Sequence, residues 1–380
     1  MNKTSYDYII LGGGCAALSL AINIIKNNIN ESSFLIVEKR SHYFDDRSWC
    51  FWERNVNEYS DLIEKSWKKW VFSKDDEKKT HFTHEYSYHY IRSISFYKKG
   101  LKLINNSKNI SIKLGENVLN TIIKKDGIIV KTDKSTYKAK SVLDTRPKIE
   151  YFSKKPLIFQ SFLGYELEID NLDAFEDVAH IMNDMRIINK NFVFDYILQI
   201  SKSSVLFETT FFSKEIIPKE FIKKELIRKI ELYNLNYIKI LREEYSAIPM
   251  GFVKKKEYTS NYFYAGTAGG AIRASSGYGF LRIQEWAIKC SKNIKKNNAF
   301  VSHPTDKRIF YYMDKIFIGI LIKNIDQGPR IFNCFLRKVS SKSFIEFMNN
   351  KINIFGLINI ILSMPIMLFL KLLIKFDEKN

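Results

Sequence analysis

Tyr8-Ile9-Ile10-Leu11-Gly12-Gly13-Gly14-Cys15-Ala16-Ala17 carries an apolar strand into a glycine turn and from the turn into a helix. In that order the residues predict a dinucleotide site. Gly12 permits the tight turn, Gly14 lets the backbone approach a pyrophosphate, and Ala17 is small enough for close helix-to-strand packing. The helix N-terminus adds free N–H groups and the positive end of its dipole. A second strand, Phe34-Leu35-Ile36-Val37, ends at Glu38, which is placed to accept hydrogen bonds from a ribose. The bland alternative is an ordinary strand-turn-helix, which leaves the spacing to Glu38 as coincidence. A secretory signal is the other competitor. Lys3 is the one base ahead of the stretch, Asp7 sits at its mouth and glycines interrupt it, so the N-terminus is expected to be mature structure.

At 380 residues, 46% of them hydrophobic, the chain can bury a sizeable core and is long enough for about two domains. Cys15, Cys50, Cys290 and Cys334 lie far apart with no C-x-x-C pair, which fits free thiols in a reducing cytoplasm. His81, His84 and His89 cluster, but no cysteine is near to complete a tetrahedral set, so no metal is expected. The net charge of +19 suits nucleic acid or an anionic membrane. No basic helix with interleaved aromatics and no nucleic-acid module can be read, so no nucleic-acid partner is expected and a membrane surface is. The apolar stretch from Ile354 to Leu370, followed by Lys371 and Lys375, favours that partner. It is short for a span, and Asn359 and Pro365 fall inside it, so an interfacial segment is expected over a transmembrane helix. A buried C-terminal helix is the competing reading. Phe317–Ile322 is a second apolar stretch, and residues 316–322 with 354–370 are expected to dock on the bilayer.

Asp45-Asp46-Arg47-Ser48-Trp49-Cys50-Phe51-Trp52-Glu53 concentrates charge and aromatics as a site loop would, with Arg47 a candidate cofactor ligand. Trp67 to Phe82 reads as strands, and Tyr86, Tyr88 and Tyr90 alternate as one aromatic strand face. A helix is expected over Ile91 to Leu103. Ile110–Leu114, Thr121–Ile123 and Gly127–Val130 are expected to form a small β-meander, and Ser141–Pro147 a strand returning to the nucleotide domain. Phe159–Leu167, Arg186–Ile188, Phe192–Gln199 and Val205–Phe211 are expected in one antiparallel sheet, able to cover a pocket with one face and pack helices on the other. Helices are expected over Lys219 to Tyr233 and over the run from Ile238, leading on to Ile248-Pro249-Met250-Gly251. Tyr262 to Gly270 is another strand running into glycines, Gly266, Gly269 and Gly270, with Gly277 behind them and a helix from about Leu281. Such a passage suits a flavin lying against backbone N–H groups.

These landmarks in this order resemble the lycopene cyclase family of the β-cyclase type. The resemblance covers about residues 6–290. It rests on the glycine fingerprint at 12–17, Asp46-Arg47-Ser48-Trp49-Cys50-Phe51, Tyr88-His89-Tyr90, Phe159-Gln160-Ser161-Phe162-Leu163-Gly164, Asp184-Met185-Arg186, Phe207-Glu208-Thr209-Thr210, Ile248-Pro249-Met250-Gly251 and Ser275-Ser276-Gly277-Tyr278-Gly279. It implies an α/β fold like that of aromatic-hydroxylase flavoproteins: an FAD-binding Rossmann-like domain over 1–150 and 246–300, an interleaved antiparallel β-sheet substrate domain over 151–245, and a helical, apolar C-terminal region over 301–380.

The implied activity is cyclisation of the linear ends of lycopene to β-ionone rings with bound, reduced FAD and no net redox change, NAD(P)H being the expected reductant. The expected setting is cytoplasmic and peripheral to the membrane. The chemistry needs a strong acid in a dry pocket, where desolvation keeps a carboxyl protonated. Glu208 matches the first acidic residue of the family's functional carboxylate motif and is the expected acid. Plant members carry a second acid directly after it, where this chain has Thr209. Asp184 is the nearest match to another acidic family position, with an ion pair to Arg186 as the competing reading. Ala274 stands where the family often has proline. A redox flavoprotein acting on an isoprenoid, or a non-catalytic lipid escort on the same fold, are the alternatives.

Overall fold

The computed structural model describes residues 4–54, 59–169, 177–254 and 261–370, and among them the strands form three sheets. Lys371 and Lys375 lie outside the described residues. The first sheet sets five parallel strands in the spatial order Ile110–Leu114, Phe34–Glu38, Ser5–Leu11, Thr136–Asp144, Tyr262–Tyr264. In order of sequence this is 3-2-1-4-5, a doubly wound arrangement whose reversal of strand order opens a crevice beside the first strand. Its buried runs, such as Ile9-Ile10-Leu11 and Phe34-Leu35-Ile36-Val37, are apolar on both faces because both faces are covered. Helices Cys15–Lys26 and Phe280–Asn297 pack on one face with Tyr8, Ile10 and Ile36; Val118–Lys124 and Gly127–Thr132 bring Ile128 and Val130 against Ile9 and Leu11 on the other.

The expected meander is corrected in part. Val118–Lys124, Gly127–Thr132 and the start of Thr136–Asp144 do pair antiparallel, with the turn at Asp126 and Gly127. Ile110–Leu114 instead joins Phe34–Glu38 in parallel at the far edge, because helix Ser93–Asn105 carries the chain back to the sheet's starting end.

The second sheet runs Tyr237–Val253, Phe152–Ile169, Ser204–Ser213, Asn191–Gln199, Ala179–Ile188, Lys69–Lys74, Glu77–Phe82. The helix expected from Ile238 is corrected: that run belongs to the long edge strand Tyr237–Val253, held by its antiparallel pairing with Phe152–Ile169. The Lys69–Phe82 hairpin, early in the chain, extends the same sheet through a parallel pairing at Ala179 and His180. Strand parity divides the two faces. Leu163, Tyr165, Leu167, Val193, Ile197, Phe207 and Phe211 pack on helix Lys219–Leu232 through Ile222, Leu226 and Ile230. Phe192, Phe194, Leu206 and Phe212 face the other way, toward the C-terminal helices and the third sheet of Ser48–Glu53, Ser87–Arg92 and Ile63–Trp67.

Helices Arg308–Lys323, Gly328–Lys338, Ser341–Met348 and Ile354–Ser363 cover that second face. The docking role expected of residues 316–322 is corrected: Ile318, Ile320 and Leu321 are fully buried, and only Ile316 is largely exposed. Helix Ile354–Ser363 is two-sided. Leu357 and Ile360 enter the core, whereas Phe355 is 78% and Leu362 61% exposed. No helix among the described residues is long and apolar enough to cross a membrane.

Candidate active site and cofactor cleft

The glycine turn closes as its sequence requires. Gly12 has φ +90°, and a side chain there would sit 3.0 Å from Thr145 Oγ1. Gly12 N–H donates to Val37 O, and Thr145 Oγ1 donates to Leu11 O at 2.9 Å, so the turn is pinned between three parallel strands. Gly14 begins the helix with no side-chain cap, and a Cβ built on it meets nothing within 4 Å. That leaves the helix N-terminus open to a phosphate. Ala17 is buried, and Gly266, at φ +59°, comes so near that an added Cβ would lie 2.9 Å from Ala16 Cβ. The two glycine passages, remote in sequence, therefore meet at one helix end.

Glu38 accepts from Gly13 N–H at 2.6 Å and from Arg40 N–H at 2.9 Å and Nε at 3.1 Å. Burial pushes its pKa up, but the Arg40 hydrogen bonds and charge and the Gly13 N–H outweigh it and hold the carboxyl below its ordinary value. Arg47 Nη2 donates to Asp46 Oδ2 at 2.9 Å, while its Nε is buried with no hydrogen-bond partner among the described residues. An open N-terminal cradle and an orphaned guanidinium N–H fit the pyrophosphate of a dinucleotide. Gly269 and Gly270 close the short helical turn after Gly266, where a Cβ at Gly269 would meet Tyr264 O at 2.6 Å. Gly277, at φ +73°, abuts the second sheet, its added Cβ falling 2.7 Å from Gln160 Oε1. The glycine loop thus joins the cleft to a cavity.

That cavity encloses about 840 Å³ free of protein atoms, its open mouth included, between the second sheet and the C-terminal helices. Its walls are mostly aromatic and aliphatic, among them Trp52, Phe194, Tyr196, Tyr278, Phe335 and Phe344, with Gln160, Ser275 and Asp314 as polar points. Tyr278 hydroxyl lies 3.2 Å from that of Tyr88, so the aromatic face read at Tyr86 to Tyr90 is core that backs the cavity wall.

Glu208 is buried on the face of the sheet that the cavity occupies, without lining the cavity itself. On neighbouring strands Tyr196, Glu208, Gly164 and Glu244 form one register row, so their side chains share a face. Tyr196 lines the cavity. Burial, first, and then the charge of Glu244 push the Glu208 pKa up to about 8, against a hydrogen bond from Thr210 Oγ1 at 2.8 Å and the charge of Arg242. A carboxyl in such surroundings holds its proton to higher pH than an exposed one.

Asp184 is not brought to Glu208. Thr209 Oγ1 donates to Asp195 Oδ1 at 2.8 Å, and Asp195 is paired with Arg186, which also contacts Asp184 at 3.2 Å. Lys229, on the helix behind the sheet, reaches Asp184 at 2.7 Å. Since Thr209 and Glu208 point to opposite faces, Asp184 stands on the helix side and Glu208 on the cavity side. Burial raises the Asp184 pKa, but Lys229 and Arg186 outweigh it and keep the carboxyl below its usual range. The ion-pair reading fits this environment. The acid that sequence reasoning missed is Glu244, buried and bonded by Arg242 Nη1 and Ser48 Oγ, each at 3.0 Å. Its signal was alternation: Arg242 and Glu244 share one face of a strand. Among the described residues no cluster of metal-ligating side chains is present, and all four cysteines are free.

A family model described as lycopene cyclase protein matches residues 7–373. No protein of curated function matches the chain in sequence. Among solved structures, the chain is similar to a geranylgeranyl bacteriochlorophyll reductase-like protein from Thermoplasma acidophilum, at 13% identity and TM-score 0.64 over 98% of this chain and 99% of that one. A probable FAD-dependent monooxygenase from Pseudomonas aeruginosa matches at 10% identity and TM-score 0.58, over 91% of this chain and 100% of that one. The p-nitrophenol 4-monooxygenase of Pseudomonas putida matches at 9% identity and TM-score 0.58, over 99% and 98%. These likenesses establish a flavoprotein-type fold.

Proposed function

The chain belongs to the lycopene cyclase family, and from that premise we propose that it cyclises the linear ends of lycopene, or of a related acyclic carotenoid, to β-ionone rings without net redox change. The observation that carries this reading is a buried carboxyl, Glu208, in one register row with Tyr196, which lines an apolar aromatic cavity. Glu208 gives its proton to the terminal trisubstituted alkene, leaving a tertiary cation. The neighbouring double bond closes on that cation, and loss of a ring proton leaves the β-ionone ring with the mass of the substrate unchanged. Aromatic walls at Trp52, Tyr196 and Tyr278 suit a cationic intermediate, since ring faces attract positive charge and exclude water.

FAD is the cofactor of this reading, taken up reduced, with NAD(P)H as reductant. Gly12, Gly14, Ala17, Glu38 and Arg47 would hold its nucleotide half, and Gly266, Gly269, Gly270 and Gly277 its flavin half. When bound, a reduced flavin supplies an electron-rich surface beside developing positive charge. Residues 1–150 and 246–300 then serve the cofactor, 151–245 the substrate, and 301–380 the cover and the approach to a membrane. A substrate of this kind resides in the bilayer, and the exposed Phe355, Leu362 and Met367 support peripheral attachment to a membrane surface.

Conversion of lycopene in liposomes by anaerobic protein with reduced FAD tests the reading. A cyclised isomer of unchanged mass, lost in Glu208→Gln and formed without stoichiometric reductant use, is expected. A reductant-coupled change of substrate mass would instead favour a redox flavoprotein acting on an isoprenoid; one similar structure is described as geranylgeranyl bacteriochlorophyll reductase-like.

A further inference from the structure

We propose that Glu244 is the positioning residue for Glu208: the two carboxyl groups share one proton across Gly164, with Glu244 the ionised member. The catalytic consequence rests on the cyclase reading; the proton sharing does not. The geometry begins at Gly164, which pairs with Glu208 on one side and Glu244 on the other. A Cβ at this position would lie 3.2 Å from Glu208 Cβ and 3.2 Å from Glu244 Cγ. Glycine therefore leaves the space in which the two carboxyls come into hydrogen-bonding contact.

The surroundings decide which member keeps the charge. Arg242 bonds Glu244 at 3.0 Å and Glu166 at 3.2 Å and pairs with Asp45 at 3.4 Å. Arg92 is shared among Asp45, Glu64 and Glu166. Both guanidinium groups are thus already divided among other carboxylates. Glu208 receives a neutral donor instead, Thr210 Oγ1, and its strand neighbour Tyr196 is neutral as well. The remaining groups facing the pair are neutral: Ser48 and Cys50 on one strand of the third sheet, Tyr88 and Tyr90 on the next, and Tyr278 from the glycine loop. Two adjacent buried anions with one cation in contact are unfavourable, so one proton stays on the pair.

In the reaction the O–H bond of Glu208 breaks as a C–H bond forms on the alkene. The Glu208 carboxylate so produced faces anionic Glu244, which raises its basicity. It then recovers a proton as the C–H bond on the ring breaks and its electron pair forms the ring double bond. Glu244 acts by keeping Glu208 protonated at rest and proton-hungry after transfer.

Infrared titration of the purified protein without substrate, alongside the pH profile of lycopene conversion, tests this. A protonated carboxyl signal is expected in the wild type at neutral pH and is expected to be absent from Glu208→Gln. Glu244→Gln should move its titration midpoint, and the alkaline limb of activity, down by more than ~1 pH unit. Glu244→Asp keeps a charge for Arg242 and should move both by less; it decides the matter if the Gln variant does not fold. A midpoint unmoved in the variants, or no protonated carboxyl in the wild type, overturns the proposal. Shifted titration without any cyclised product would overturn the cyclase reading and leave the shared proton standing.

Discussion

Arg273 and Asp314 form a fully buried ion pair, Nε to Oδ2 at 3.2 Å and Nη2 to Oδ1 at 3.2 Å, between the glycine loop and helix Arg308–Lys323. The guanidinium also bonds the Phe347 carbonyl and lies 3.9 Å from the Phe347 ring centroid. One side chain thus fastens the glycine loop to two helices that roof the cavity. Arg273→Lys keeps the charge but loses the planar fork and the stacking, and leaves Asp314 poorly paired. A loss of ~3 kcal/mol is expected in denaturant unfolding. An unchanged midpoint would mean the roof is held elsewhere.

The raised Glu208 pKa has a stability counterpart. A carboxyl whose pKa rises on folding binds its proton more tightly in the native state, so its contribution is complete below the ordinary value of 4.5 and is lost as pH climbs to about 8. Glu208→Gln does not titrate. It is expected to lose less stability than the wild type over that window and, by about pH 9, to be the more stable by ~2 kcal/mol. Parallel stability-pH curves would contradict the shift.

Asp184→Asn should separate structure from chemistry. The folded-state pKa of Asp184 is lowered, so its stabilisation is present above the ordinary 3.8 and fades as pH falls through the lowered value. A cost of ~1 kcal/mol at neutral pH, vanishing in acid, is expected with cyclisation retained. Loss of turnover at unchanged stability would return Asp184 to the catalytic set.

Gly14→Val probes the open cradle. Gly14 has φ −79° and ψ −166°, allowed for any residue, and no atom lies near an added Cβ. The cofactor-free protein should lose at most ~1 kcal/mol. Flavin absorbance of the purified protein should disappear, since the new side chain fills the phosphate position. Normal flavin content would place the pyrophosphate elsewhere.

The outer face of helix Ile354–Ser363 can be tested without opening the core. Deleting the helix would uncover Ile345 and Phe344, which pack with its Leu357 and Ile360. Phe355→Asp with Leu362→Asp changes only exposed positions. Partitioning onto vesicles containing anionic lipid should fall by at least an order of magnitude at unchanged thermal stability. Undiminished partitioning rules this face out as the anchor.

The strand, glycine turn and helix from Tyr8 to Ala17, and the alternating strands at 159–167, 192–199 and 205–211, were legible in the sequence because turns and strand periodicity are local properties. The Ile110–Leu114 strand was misassigned because its partner depends on a crossover helix rather than on its own residues. Phe317–Ile322 read as a docking surface because apolar composition does not distinguish a helix facing lipid from one facing a core.

The sequence by itself determined a nucleotide-type crevice and put Glu208 forward through its family motif. The partner of Glu208 was decided only in three dimensions. Asp184 resembles a catalytic neighbour in the linear chain, yet Met182 and Asp184 both have positive φ, and these irregularities break the parity that would have revealed its face. Glu244 lies in Arg242-Glu243-Glu244, a charged run whose residue types alone do not mark any member as buried. Registration of three strands about Gly164 makes it a buried carboxylate against Glu208, because side-chain contact across a sheet is fixed by register, which no single strand encodes.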